Sequence, residues 1–312
     1  MQSAISVLIR ADRRRLRRPL VPPAAGLVDW LAVRKIYPAA AAAPEIGTGD
    51  GAVAGLAALY AYPDPAAGPG APWVRANMIA SADGAGSLHG RSGGLSGAAD
   101  RTVFKVLRSM ADVILAGAGT ARAERYRPVR GGEVWPQLRQ GRATTPPIAV
   151  ITRALSLPAG DALLAEAPQD ARTIVLTTQT APPARRAAVA RHADVAVVGV
   201  DAVSPADAVA ALAERGHRRI LLEGGPTLLC QFVAAGLLDD LCLTVSPVLE
   251  GGLAGRILNG SSAVGPGGDE GGVATGLRLA HVLEEDGFLF CRYLRAAGWP
   301  GHRPCHRPGT GP

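Results

Sequence analysis

The sequence predicts an α/β fold, one mixed and mostly parallel sheet with helices on both faces. Three observations carry that reading. From Trp73 onward, short apolar runs rich in β-branched residues alternate with stretches of helical periodicity. Two of the runs end in glycine turns that open helices, Gly117-Ala118-Gly119-Thr120 and Glu223-Gly224-Gly225-Pro226-Thr227. The last two runs flank Glu285-Asp286-Gly287, a hairpin signal, so the sheet ends antiparallel.

Taken in order, residues 1–71 are a poorly patterned N-terminal extension. It holds arginine-rich stretches, the alanine run Ala39 to Ala43, Pro63-Asp64-Pro65 and Gly68-Pro69-Gly70. Leu56, Leu59 and Tyr60 suit one short helix there. The organised domain spans 72–297, followed by a Pro/Gly-rich tail over 298–312. Val74 to Ser81 reads as the first strand. Ala98 to Met110 reads as an amphipathic helix, because Val103, Val106, Leu107 and Met110 share one face. Asp112 to Ala116 is a short buried strand, and Ile148 to Thr152 and Thr173 to Thr177 have the composition of interior parallel strands. Pro183 to His192 suits a helix and Val195 to Val200 a strand. Ser204-Pro205-Ala206-Asp207 opens a helix with a capping serine, a first-turn proline and an acid at the third position; Gly216 ends it. Ile220-Leu221-Leu222 leads into Glu223, and the helix after it stops at Gly236. Leu241 to Val245, Leu277 to Leu283 and Phe288 to Leu294 complete the sheet.

A formal net charge of +7 invites a nucleic-acid reading, but the distribution argues against one. Residues 1–20 carry +5 and the tail from Gly301 carries +2, which leaves residues 21–300 neutral. A basic face on the fold would survive that subtraction, so no nucleic-acid partner is expected. Lys35 and Lys105 are the only lysines, a bias that makes arginine abundance uninformative. The cysteines Cys230, Cys242, Cys291 and Cys305 form no C-x-x-C pair, and three lie in apolar runs, which fits a reduced, cytoplasmic protein. Cys305 lies between His302 and His306, but in a tail composed like a disordered segment, so no metal is expected. No run reaches the roughly 20 apolar residues of a membrane span. The N-terminus lacks a long apolar run after its arginines, so no secretory signal is expected.

The chemistry is concentrated at the glycine turns. A proline is tolerated at the first position of a helix because that position needs no internal N–H partner. Free amides at a helix start attract anions, and glycines let a phosphate come close to the backbone. Glu223 stands at a strand's carboxyl end, where open α/β sheets place their ligands, and an unpaired carboxylate is costly to bury there. Together the two turns suit one diphosphate held between two helix starts. A third glycine near Arg122 and a following acid are absent, which disfavours an ordinary Rossmann domain. Asp83, in Ser81-Ala82-Asp83-Gly84, reads first as a turn residue bonded to its own backbone. Gly90-Arg91-Ser92-Gly93-Gly94 is a loop suited to closing over a ligand. Arg108 follows core-facing Leu107, placed either to reach a phosphate or to be solvated.

The segments Asn77 to Gly84, Gly90 to Ser96, Leu107-Arg108, Gly117 to Glu124, Leu222 to Leu228 and Gly236 to Gly252, in this order, resemble the reductase domain of bacterial riboflavin biosynthesis. That domain belongs to the dihydrofolate-reductase-like superfamily, so the resemblance implies its three-layer fold over residues 72–297. It implies NADPH as cofactor and a ribosylaminopyrimidine 5-phosphate as substrate, with reduction opening the ribose to a ribityl chain. By similarity, Ala80, Gly94, Gly117, Gly119, Thr120, Glu124 and the stretch Gly224, Gly225, Pro226, Thr227 and Leu228 touch the cofactor. Arg153 falls on its adenosine side, for the 2′-phosphate. Asn77, Ser92, Arg108, Arg127 and Glu223 fall at substrate positions, with Arg108 and Ser92 on the sugar phosphate and Glu223 on the base. Glu223 and Glu124 are the catalytic candidates, and proton delivery is open between Glu124, Glu223 and water. The resemblance also implies a homodimer.

Three departures from the family pattern stand out. The usual Ser-Leu-Asp-Gly reads Ser-Ala-Asp-Gly at 81–84. Glu124 replaces the commoner aspartate and is followed by Arg125-Tyr126-Arg127-Pro128 where an acid-proline pattern is usual. Asn77 stands where some bifunctional members have lysine. The zinc deaminase signatures H-x-E and P-C-x-x-C are absent, which excludes deamination. Two alternatives remain open: a reductase of another heterocycle such as dihydrofolate, and a non-catalytic NADP-binding protein.

Overall fold

The structure, a computed structural model, describes residues 34–37, 50–63, 71–139, 141–260 and 274–296. Among them ten strands form one sheet. In chain order they are β1 (Arg34–Tyr37), β2 (Trp73–Ser81), β3 (Val113–Gly117), β4 (Ile148–Ile151), β5 (Ile174–Thr177), β6 (Asp194–Val197), β7 (Arg219–Leu222), β8 (Asp240–Ser246), β9 (Leu277–Glu285) and β10 (Phe288–Arg295). In space they run β1-β9-β10-β8-β2-β7-β3-β4-β5-β6. Every pairing from β8 to β6 is parallel, and the three beyond β8 are antiparallel. The mixed sheet and its final hairpin are therefore as expected. That hairpin turns at Asp286 and Gly287, both with positive φ (51° and 81°), the backbone that matches the twist of two adjoining strands.

The helices are α1 (Asp50–Leu59), α2 (Ala98–Met110), α3 (Ala118–Ala123), α4 (Ala162–Ala165), α5 (Pro183–Ala190), α6 (Pro205–Glu214) and α7 (Pro226–Ala234). In α2 the predicted face is buried at Val103, Val106 and Leu107, each worth about 1.5–3 kcal/mol of burial. Ser204 caps α6 by accepting the Asp207 amide at 3.1 Å, and Pro205 occupies its first position. The strands alternate between two cores. In β3, Ile114 joins a core with Leu56, Leu107, Ala121 and Val189, from α1, α2, α3 and α5. Its neighbours Val113 and Leu115 face Leu212 of α6 and Phe232 of α7. That period-two alternation, apolar on both faces, is what forces three layers.

Both β1 and α1 come from the stretch read as an extension. α1 docks through Val53, Leu56 and Tyr60, all buried. Its last turn is capped by charge: Arg75 donates to the Tyr60 carbonyl (2.6 Å), and Arg292 donates to the carbonyls of Leu59 (2.5 Å) and Ala61 (3.1 Å). Cations suit the free carbonyls of a helix end. Both guanidinium groups also converge on Asp240 Oδ2, at 2.7 Å and 2.8 Å from their Nη2 atoms. The basic termini, the Ala39–Ala43 run and the Cys305 segment lie outside the described residues. No helix among the described residues is long and apolar enough to cross a membrane.

Candidate active site

Parallel strands bring their carboxyl ends to one edge, and there β2, β3 and β7 deliver the predicted residues to a cleft of about 680 Å³. Its walls include Asn77 and Met78 from β2, Ser92 from the following loop and Phe104 and Arg108 from α2. Thr120, Glu124, Arg125, Tyr126 and Arg127 come from α3 and the chain after it, and Glu223, Gly225 and Pro226 from the second glycine turn.

Glu223 lies at the centre, 8% exposed. Arg108 grips it with a two-pronged fork, Nε to Oε1 and Nη2 to Oε2, each at 2.7 Å. The Tyr126 hydroxyl donates to Oε2 at 2.8 Å. The Arg108 guanidinium stacks 4.2 Å from the centre of the Phe104 ring. Burial works against the arginine's charge, but the neighbouring Glu223 carboxylate prevails and holds its pKa above the ordinary value. Burial, reinforced by the charge of Glu223, lifts the Tyr126 phenol well above its ordinary value, so it remains a neutral donor. Arg108 was expected to grip a sugar phosphate and Glu223 a base. In this structure they grip each other, because a forked cation finds its best geometry on a carboxylate.

A second internal pair follows the same logic. The backbone amide and hydroxyl of Ser92 both donate to Glu124 Oε1, at 2.9 Å and 3.0 Å. The loop before α2 is thereby fastened to the C-terminal end of α3.

The two glycine turns touch. The Gly117 amide donates to the Gly224 carbonyl at 3.1 Å, since β3 and β7 are neighbours. Gly224 has φ +97°, the Gly224–Gly225 peptide is cis, and a Cβ at Gly225 would run into the Thr120 hydroxyl. The absence of a side chain at Gly225 leaves room for the Thr120 hydroxyl, and bare backbone of this kind admits a diphosphate. The other predicted cofactor positions lie outside the cleft wall. Ala80 and Leu228 are buried, Gly94 packs on Leu88, and Gly119 faces open space. Thr227 is exposed in the first turn of α7, and Arg153 is exposed beyond β4, where its carbonyl receives the Thr178 hydroxyl at 3.3 Å. Arg127 reaches out of the cleft to Glu166 at 3.1 Å.

Asp83 does more than close its own turn. It accepts from the Ser81 hydroxyl and from the amides of Gly251 (2.8 Å) and Glu250 (3.1 Å), tying the loop after β8 to the end of β2. Those donors, the serine first, lower its carboxyl pKa to about 2. Several cleft residues escaped the sequence reading, three of them around the buried acids. Tyr126 and Phe104 frame the Arg108–Glu223 pair, and Asp100 accepts the hydroxyls of Thr244 (2.7 Å) and Ser96 (2.6 Å). Tyr126 had one signal, the departure Arg125-Tyr126-Arg127-Pro128; the other two had none beyond helical position.

Residues 72–283 match the family described as the RibD C-terminal domain. The 2,5-diamino-6-ribosylamino-4(3H)-pyrimidinone 5′-phosphate reductase of Archaeoglobus fulgidus is 29% identical over 184 residues, 58% of this chain and 83% of that protein. The enzyme of the same name from Methanothermobacter thermautotrophicus is 29% identical over 223 residues, 69% of this chain and 95% of its own. Among solved structures, a pyrimidine reductase-like protein from Corynebacterium diphtheriae superposes with a TM-score of 0.63 at 26% identity, covering 72% of this chain and 92% of that one. Acinetobacter baumannii RibD shares the fold, with a TM-score of 0.55 at 20% identity over 74% of this chain and 60% of its own.

Proposed function

The chain belongs to the RibD C-terminal domain family, and from that premise we propose that it reduces a ribosylaminopyrimidine 5′-phosphate with NADPH. The observation that carries the reading is the Arg108–Glu223–Tyr126 cluster set beside two touching glycine turns at one end of the sheet. The relatives named as pyrimidinone 5′-phosphate reductases support the substrate class.

In this reading the turns at Gly117–Thr120 and Gly224–Thr227 hold the diphosphate, and the cofactor when bound supplies hydride. Carbon C1 of the ring-opened ribosylimine takes the hydride and the adjoining nitrogen takes a proton, giving the ribityl amine. Glu223, ion-paired with Arg108, acts as an acceptor that orients one N–H group of the pyrimidine. One lone pair of Oε1 serves that purpose, since Oε2 already receives two donors. In this reading Glu223 serves only as an acceptor, and Glu124 or water delivers the proton. Glu124 lines the cleft and exchanges its Ser92 bonds for a cofactor contact on binding.

The test is NADPH oxidation by the purified protein offered the diaminopyrimidinone and aminouracil ribosylamine 5-phosphates and dihydrofolate in parallel. Turnover confined to the pyrimidine phosphates is expected. Turnover of dihydrofolate alone, or cofactor binding with no turnover of any substrate, would overturn the proposal.

A further inference from the structure

The charges around the cleft point to one residue as its anion receptor. Three arginines line it, Arg108, Arg125 and Arg127. Arg108 is neutralised by the Glu223 fork, and Arg127 is paired with Glu166. Arg125 is exposed and, among the described residues, has no carboxylate partner. The acids on the same wall are Asp100, Glu124, Glu133 and Glu223. A phosphate entering this cleft meets these four acids and one guanidinium without a carboxylate partner.

The backbone shows how Arg125 is placed beside the cleft. α3 closes with the Tyr126 amide donating to the Ala121 carbonyl (2.8 Å) and the Arg125 amide to the Arg122 carbonyl (3.2 Å). In that helix ending the residue after the cap adopts the left-handed conformation, and it is usually glycine. Here it is Arg125, at φ +54°. A side chain in that region costs conformational free energy that glycine avoids, as it does at His89 and Leu155, so glycine can replace Arg125 without backbone strain. The same ending delivers the next residue, Tyr126, to Glu223.

We propose that Arg125 recognises the 5′-phosphate of the substrate and so determines the preference for a phosphorylated pyrimidine, an assignment that rests on the reductase reading above. It replaces Arg108, whose Nε and Nη2 are committed to Glu223. A guanidinium free on all edges takes a phosphate bidentately; one already forked onto a carboxylate does not.

The backbone makes the test clean. Arg125→Gly removes the side chain and suits the left-handed position, so its melting temperature should equal or exceed that of the wild type. For the ribosylaminopyrimidine 5-phosphate it should raise KM about 10- to 100-fold, far more than it lowers kcat, as expected for a lost charged hydrogen bond. KM for the dephosphorylated substrate should not move, and Arg125→Lys should recover part of the loss. A calorimetric titration with ribose 5-phosphate supplies a measure free of turnover. Binding by the wild type, weakened at least about tenfold in Arg125→Gly, is expected. Equal affinity in both proteins, no binding by the wild type, or an equal KM change for the dephosphorylated substrate would overturn the assignment. Discrimination by ribose 5-phosphate without any pyrimidine turnover would retain the phosphate site and sink the reductase reading instead.

Discussion

Replacing Glu223 with glutamine removes one charge and almost no volume, which isolates the electrostatics at the centre of the cleft. The two side chains are 2% and 11% exposed, so Glu223→Gln strands a guanidinium that water reaches from only one side. Breaking a buried pair typically costs about 3–5 kcal/mol. The amide oxygen of glutamine still accepts one arginine N–H and the cleft admits some solvent, which brings the expected loss to about 2–3 kcal/mol. For a domain of this size that is a fall of roughly 5–10 °C in melting temperature. Urea unfolding of Glu223→Gln, Arg108→Gln and the double variant checks it as a cycle. The double variant should lose about 2–3 kcal/mol less than the sum of the singles, because neither partner is then left charged and alone. Additive losses, or a single-variant loss below about 0.5 kcal/mol, would refute the view that the pair is buried and mutually dependent.

Gly225→Ala should weaken NADPH binding at least about tenfold and cost about 1–3 kcal/mol, because its methyl group meets the Thr120 hydroxyl; adding Thr120→Ala should restore much of the stability in a thermal melt. Asp240→Asn should cost about 3–5 kcal/mol, since it leaves Arg75 and Arg292 buried together, and limited proteolysis should then cut near α1 before the sheet unfolds. The carboxyl pKa of Asp83 is lowered in the folded state, so its tether on Gly251 and Glu250 is complete above the ordinary aspartate value of about 4 and is lost as pH falls toward about 2. Amide exchange at Glu250 and Gly251 should accelerate across that window in the wild type, and Asp83→Asn should show fast exchange at every pH.

Much of the fold was legible because it is encoded locally. The α2 face, the Ser204 cap, the glycine turns and the Asp286-Gly287 hairpin are each specified within a dozen residues, and each appears where the sequence places it. What was not legible is encoded at a distance. A short helix at Leu56 and Leu59 was legible, but not its docking: α1 is rich in alanine and glycine, and its anchors Arg75 and Arg292 lie 15 or more positions away, and 233 in the case of the Leu59 contact. The same holds in the cleft. Glu223 and Arg108 were each picked out, but they are 115 residues apart, and only the β7–β3 neighbourhood makes them partners. A spacing rule assigns roles to residues one by one; it does not reveal that two of them satisfy each other.

That mutual satisfaction changes what the cleft demands of its ligand. Arg108 with Glu223, and Ser92 with Glu124, are donor–acceptor sets closed on themselves, so a ligand gains from them only through the capacity left over. The first set has little reason to open, because separating it exposes a buried carboxylate and a buried guanidinium at once. The second is half-buried, and its acceptor is a single oxygen holding two donors, so an incoming hydroxyl or phosphate competes with it on nearly equal terms. The cleft therefore combines a rigid centre with an exchangeable rim. In the proposed reading, the base falls to the rigid part, where one acceptor position is fixed within the ion pair. In the proposed reading, charged and hydroxylated groups fall to the rim, where Ser92 and Glu124 can exchange partners and Arg125 can take one without disturbing the core beneath them.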